Sequence, residues 1–138
     1  LRGYTKSLTH SGEYSLIGRQ GALCGNITYT TGDFYATEHA VVATNKTGII
    51  AKWLYYLLVK LNLNQYATGQ AQPGLSVQVL EKIDTCAPKE QTEQEKIADC
   101  LFETDKLLTA QSKKIEALKV HKKGLMQGLF PSVDEVGA

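Results

Sequence analysis

The spacing of apolar and polar positions changes once along this chain, near Pro88. Before that point apolar runs are short and rich in β-branched and aromatic residues. "EYSLIG" (residues 13–18), "GNITYT" (25–30) and "HAVVATN" (39–45) are bounded by Gly, Asp or Asn and predict three strands. Trp53, Leu54, Leu57, Leu58 and Leu61 then recur at i, i+3 and i+4, which predicts a helix with Thr47 as its cap. A polar loop, "ATGQAQPGLS" (67–76), precedes a short apolar segment, "VQVLEKI" (77–83), that returns to the core.

After Pro88 no strand pattern remains. Thr92 to Glu95 spells a capping box, and no Gly or Pro follows until Gly124. Ile97, Leu101, Thr104, Leu108, Gln111, Ile115, Leu118, Lys122, Leu125 and Leu129 alternate in steps of four and three, and seven of these ten are apolar. This is a coiled-coil seam broken at Thr104, Gln111 and Lys122. A helix over residues 93–128 is on the order of 50 Å long. It is too long to bury its seam on a domain of 88 residues, so it is expected to project and meet another helix. Its last turn, Leu125, Met126, Leu129 and Phe130, is expected to stop at Gly128 and Pro131. The fold class is therefore α+β: a small β-rich domain followed by a long projecting coiled-coil helix.

Charge sharpens the picture of the helix. Six acids face two lysines between Lys89 and Asp105, and six lysines face Glu116 alone between Lys106 and Gln127, which complements the helix dipole. The whole chain carries only +1, so charge alone announces no nucleic-acid partner. The most apolar stretch, residues 48–63, is interrupted by Lys52 and Lys60 and is not a membrane span. Three cysteines with no C-x-x-C spacing argue against a disulfide framework or a zinc site and point to a reducing cytoplasm.

Catalytic patterns are missing. The glycines of "GRQGALCG" (18–25) fit neither a dinucleotide nor a phosphate loop, and are expected at turns and close approaches in the sheet. Cys24 has no adjacent base and is expected to be a buried small side chain. His10, His39 and His121 lack ligand spacing. The chain is expected to be no enzyme and to hold neither metal nor cofactor. What remains is a binding surface on loops: Arg19, Gln20, Lys46, Gln70, Gln72, Ser76 and Gln78, with Tyr29 and Tyr35 between them. Arg and Gln can pair bidentately with base edges, while Lys and Ser reach phosphates.

The stretch "KEQTEQEKIADCLFETDKLLTAQSKKIEALKVHKKGLMQGLFP" (89–131) resembles the spacer helix of type I restriction-modification specificity subunits. Pro88, Glu93, Gln94, Ile97, Leu101, Asp105, the run Lys122 to Gln127, and Leu129, Phe130 and Pro131 carry the likeness. "LIGRQGALCGNITYTTGDFYATEHAVV" (16–42) and "ATGQAQPGLS" resemble the back half of a target-recognition domain in that family. The resemblance implies a non-catalytic subunit in which two recognition domains each read half of a split double-stranded DNA site, held apart by two antiparallel helices. It implies modification subunits that use S-adenosylmethionine to methylate adenine N6, and through them a restriction subunit that uses ATP and magnesium. On this reading residues 1–88 are the recognition domain and 89–138 the spacer helix and tail. Ile97, Leu101, Leu108, Ile115, Leu118, Leu125 and Leu129 would meet a second recognition half or a second copy. The opening "LRGYTKS" falls where the family has already supplied its first strands, so the domain is expected to be N-terminally incomplete: a fragment, a half-subunit or a split gene product. The alternative is a helix-mediated dimerisation module without DNA specificity of its own.

Overall fold

The computed structural model describes residues 7–69 and 72–130. Three strands come first: β1 (His10–Gly18), β2 (Ile27–Phe34) and β3 (Ala40–Ala43). Three helices follow: α1 (Ala51–Lys60), α2 (Val77–Leu80) and α3 (Gln91–Leu129). The class is α+β, a small antiparallel sheet and a long C-terminal helix. Residues up to Asp99 form one compact unit and those from Cys100 a second.

The sheet has the order β2-β1-β3, with β1 antiparallel to both neighbours. His10 pairs with Phe34 and Gly18 with Ala40. The chain from Phe34 to Ala40 must therefore travel the length of β1, although at full extension it reaches only about 22 Å. A flat β1 would measure about 26 Å between those pairs. The sheet is consequently coiled. Gly12 and Gly32, paired across the strands at φ +123° and +84°, supply backbone angles that side-chain-bearing residues avoid.

Alternation along β1 sends Ser15 and Ile17 inward, 1 % and 3 % exposed. Ile17 joins Cys24, Leu63 and Leu75 in the core, covered by Ile27, Val41, Leu58, Leu61, Leu80 and Ile83. Each such leucine contributes about 1.5–3 kcal/mol by leaving water. α1 contributes Leu58 to the cover of this core, with Leu61 just after it, and its one buried residue is Trp53.

Three helix boundaries differ from expectation. α1 begins at Ala51, and Thr47 does not cap it. Gly48 at φ +88° turns the chain after Thr47, and the extended Ile50 is the cap residue, without a side-chain bond of its own. α3 begins at Gln91, so Thr92 lies inside its first turn; the Glu90 carbonyl accepts from the Glu93 and Gln94 amides instead. At the other end α3 continues through Gly124 and Gly128 to Leu129. The proposed stop at Pro131 lies outside the described residues.

Candidate nucleic-acid interface

β1 delivers Arg19 and Gln20 to the end of the sheet, where two other segments are tied to them. The Leu75 amide donates to the Arg19 carbonyl at 2.9 Å, and the Gly21 amide donates to the Pro73 carbonyl at 2.9 Å. Gln20 bridges to Gly74, which also exchanges two hydrogen bonds with Thr68. The Arg19 amide donates to the His39 carbonyl at 2.9 Å. Backbone bonding thus gathers residues 19–21, 37–40, Thr68 and 73–75 at one end of β1, leaving the Arg19, Gln20 and Gln72 side chains exposed.

An open groove runs beside this junction. Gln20 and Gln72 line it, joined by Asn26, Asn62 and Asn64, with Thr28, Thr37 and His39 between them. Leu16, Ile27, Tyr55 and Val59 give it apolar walls, and among the described residues none that lines it is Lys, Arg, Asp or Glu. Carboxamides offer a donor and an acceptor side by side, the pairing that matches an adenine edge.

The other loop residues are placed differently. Tyr35, half exposed, follows β2 at the His10 end of β1, away from Arg19. Lys46 is exposed on the turn before α1. Ser76 caps α2, its hydroxyl accepting from the Val79 amide at 3.3 Å, and Gln78 is exposed on that helix. Tyr29 lies on the inward face of β2 opposite Ser15, its ring 5.5 Å from Tyr55. Its buried hydroxyl has no hydrogen-bond partner of good geometry among the described residues. Burial, and then the nearby Glu13 carboxylate, push its pKa above the usual phenol range. Gln70 lies outside the described residues. Cys24 is buried, its thiol donating to the Arg19 carbonyl at 3.5 Å and its pKa raised by desolvation. Among the described residues no group of His, Cys, Asp or Glu is arranged to hold a metal, and no helix is long and apolar enough to cross a membrane.

Sequence reasoning missed Asn26, Asn62 and Asn64 as lining residues. The pair Asn62 and Asn64 directly after α1 was a usable signal. Asn62 takes the left-handed conformation at φ 47°, which asparagine tolerates, and so turns the chain back toward the groove.

Along α3 the seam residues are exposed, from Ile97 at 38 % to Leu129 at 71 %, with Leu101, Leu108, Ile115, Leu118 and Leu125 between. Thr104, a polar break in the seam, donates its hydroxyl to the Cys100 carbonyl at 2.9 Å. Its polar atom is thereby satisfied within the helix. Buried positions on α3 are confined to Gln94 and Ala98, 0 % and 1 % exposed. Gln94, one residue of the helix motif, accepts from the Ile50 amide at 2.9 Å and donates to the Gly48 and Pro88 carbonyls at 3.0 and 2.9 Å.

A family model described as the type I restriction modification DNA specificity domain matches residues 2–120. The chain belongs to this family. It is 52 % identical over 88 residues to the EcoprrI type I restriction enzyme specificity subunit of Escherichia coli, across 64 % of this chain and 22 % of that protein. A putative type I restriction enzyme specificity subunit from Haemophilus influenzae is 29 % identical over 106 residues, 73 % of this chain and 28 % of its own. This specificity-domain chain therefore spans 22 to 28 % of the length of these curated relatives. The crystal structure of a type I restriction-modification S subunit from M. genitalium superposes with a TM-score of 0.69 at 18 % identity, over 94 % of this chain and 35 % of that one. That likeness is one of fold.

Proposed function

We propose that this chain supplies one DNA-recognition unit of a type I specificity subunit, reading base edges through the carboxamide-lined groove. Residues 1–88 form the recognition unit in this reading, and residues 89–138 the spacer helix and tail. The observation that carries it is the charge-free groove of Gln20, Asn26, Asn62, Asn64 and Gln72 at the end of β1, with Arg19 exposed at the adjoining junction. The chain itself is non-catalytic. Modification subunits with S-adenosylmethionine methylate adenine N6, and a restriction subunit with ATP and magnesium cuts the DNA. The exposed apolar seam of α3 provides the contact with a second recognition half or a second copy.

The test is a methylome. The chain is co-expressed with its cognate modification subunit in a methylation-free host and N6-methyladenine is mapped. A split motif is expected. Gln72→Ala and Asn64→Ala should relax the motif at individual bases, each relaxed base corresponding to a loss of about 1–3 kcal/mol of discrimination. Identical inverted half-sites would indicate a self-paired subunit, and unlike half-sites a second recognition domain.

The exposure of all seven apolar seam residues also favours a second reading, a helix-mediated structural module without base specificity. In that case the groove substitutions leave the methylated motif unchanged while seam substitutions abolish assembly.

A further inference from the structure

Gly25 is buried at φ +77° in the connection between β1 and β2. A Cβ there would collide with Asn64, meeting its side-chain oxygen as well as its backbone nitrogen and Cα. The two segments run side by side around that contact. Cys24 and Leu63, the residues just before Gly25 and Asn64, share the core, and Leu63 is fully buried. Asn26 follows Gly25, and Asn62 and Asn64 flank Leu63; all three asparagines are exposed and line the groove.

Neither segment can yield cheaply. The Gly25 amide donates to the Gly18 carbonyl and the Gly18 amide to the Asn26 carbonyl, both at 2.8 Å. On the other side, the Ala67 amide donates to the Asn64 carbonyl at 3.1 Å, and the Gln65 side chain donates to the Leu61 carbonyl at 2.8 Å. A side chain at position 25 would therefore have to displace Asn64 or Asn26. Hydrogen bonds from a carboxamide to a base edge hold only within about 2.7–3.2 Å, so even a small displacement is felt. The Gln20 side of the groove is tied separately, through Gly74.

We infer that Gly25 is a positioning residue of the groove. Its bare backbone lets the β1–β2 connection seat on Asn64 and holds Asn26 and Asn64 as one pair of base-reading carboxamides. Resting on the recognition reading above, this role makes the preference at one part of the DNA site depend on a residue that touches no base.

Two measurements test this, the first independent of DNA. In the isotope-labelled chain, a nuclear Overhauser contact is expected between the Gly25 α protons and the Asn64 backbone amide. Its absence from a chain that shows the β1–β2 cross-strand contacts overturns the proposal.

In the second, the chain is co-expressed with its modification subunit in a methylation-free host and N6-methyladenine is mapped. Asn64→Ala marks the base positions that depend on that carboxamide. Gly25→Ala should lower the preference at those same positions about tenfold, the factor that one lost hydrogen bond represents. Gly25→Ala together with Asn64→Ala should go no further than Asn64→Ala alone, because both act on one carboxamide. Positions relaxed by Gln72→Ala should keep the parent's preference. Gly32→Ala is the control for backbone strain: it puts a side chain at φ +84° with nothing within 4 Å, toward the opposite end of β1. It should lower the melting temperature and leave the motif intact; if it relaxes the same positions, strain alone suffices and the proposal is overturned. Should Gly25→Ala not fold, Leu63→Val decides, since a shorter core side chain draws Asn64 in less firmly and should relax the same positions. Reduced methylation with the parent's motif, in Gly25→Ala or in Leu63→Val where that variant decides, overturns the proposal. An Asn64→Ala motif identical to the parent's overturns the recognition reading of the groove itself, and the positioning role with it.

Discussion

The Tyr29 hydroxyl is buried beside the Glu13 carboxylate and has no well-formed partner among the described residues. Its folded pKa therefore lies above the ordinary phenol value near 10, and the folded state keeps a proton that the unfolded chain gives up. The stability linked to that proton is fully present below about pH 10 and is lost as the pH rises further. Tyr29→Phe should remove this alkaline loss and, at neutral pH, change stability by less than about 0.5 kcal/mol, because no satisfied bond is broken. Denaturant melts at neutral and alkaline pH check both statements; a large neutral-pH loss would show a hidden partner for the hydroxyl. Two glycines make a contrasting pair. A Cβ on Gly18 would collide with the Leu23 carbonyl oxygen, a backbone atom that cannot swing aside, whereas one on Gly124 meets nothing within 4 Å. Gly18→Ala should cost about 3 kcal/mol, while Gly124→Ala should stabilise its helix by up to about 1 kcal/mol. Thermal melts of the two variants should move in opposite directions.

Among the elements, α3 makes the clearest prediction. Leu108 and Leu118 are 60 % and 58 % exposed, so Leu108→Asp with Leu118→Asp should leave the melting of dilute chain within about 0.5 kcal/mol of the parent. The same pair should abolish any association that sedimentation detects at high concentration. A variant that unfolds at every concentration would place the seam inside the chain's own core instead. This helix was legible because its signal is local: the four-three alternation and the long absence of Gly and Pro lie in consecutive residues. The strands were legible for the same reason, as short β-branched and aromatic runs bounded by Gly, Asp or Asn. The start of α1 was not. Thr47 offered a local cap, but the helix begins beyond the Gly48 turn, where its orphan amide is taken by Gln94, 44 residues away in sequence. Ser76 shows the same ambiguity, since a hydroxyl in a polar loop reads equally as a phosphate contact and as the helix cap it forms here. The groove was legible only through Gln20 and Gln72. Its other carboxamides, Asn26 on one segment and Asn62 with Asn64 on another, meet only in the fold, which no sequence window records.

For the whole molecule, charge decides how strongly this chain can hold DNA by itself. Residues 1–99 carry nine Lys and Arg and nine Asp and Glu, so the unit that contains the groove has no net field to draw a polyanion. Tight binding of DNA by most proteins rests on many phosphate contacts, each adding about 0.9 to the slope of log affinity against log salt. Among the described residues few exposed cations lie beside the groove: Arg19 at the junction and Lys60, which ends α1 between the lining residues Val59 and Asn62. The isolated chain should therefore bind a duplex carrying its site weakly, with a salt slope of magnitude about 2 or less. Arg19→Ala and Lys60→Ala should each flatten that slope by about 0.9 if the side chain touches phosphate. Gln72→Ala should leave the slope alone and reduce the preference for the cognate site, because a neutral carboxamide displaces no counterion. On the proposed function, the slope should steepen when modification subunits are added, because they would bring further phosphate contacts. Fluorescence anisotropy titrations at several salt concentrations, on cognate and scrambled duplexes, separate these cases. A steep slope for the isolated chain would move the contact surface to the lysine-rich second half of α3, where six lysines follow Asp105. Binding would then be expected to ignore sequence, and the groove would lose its assignment.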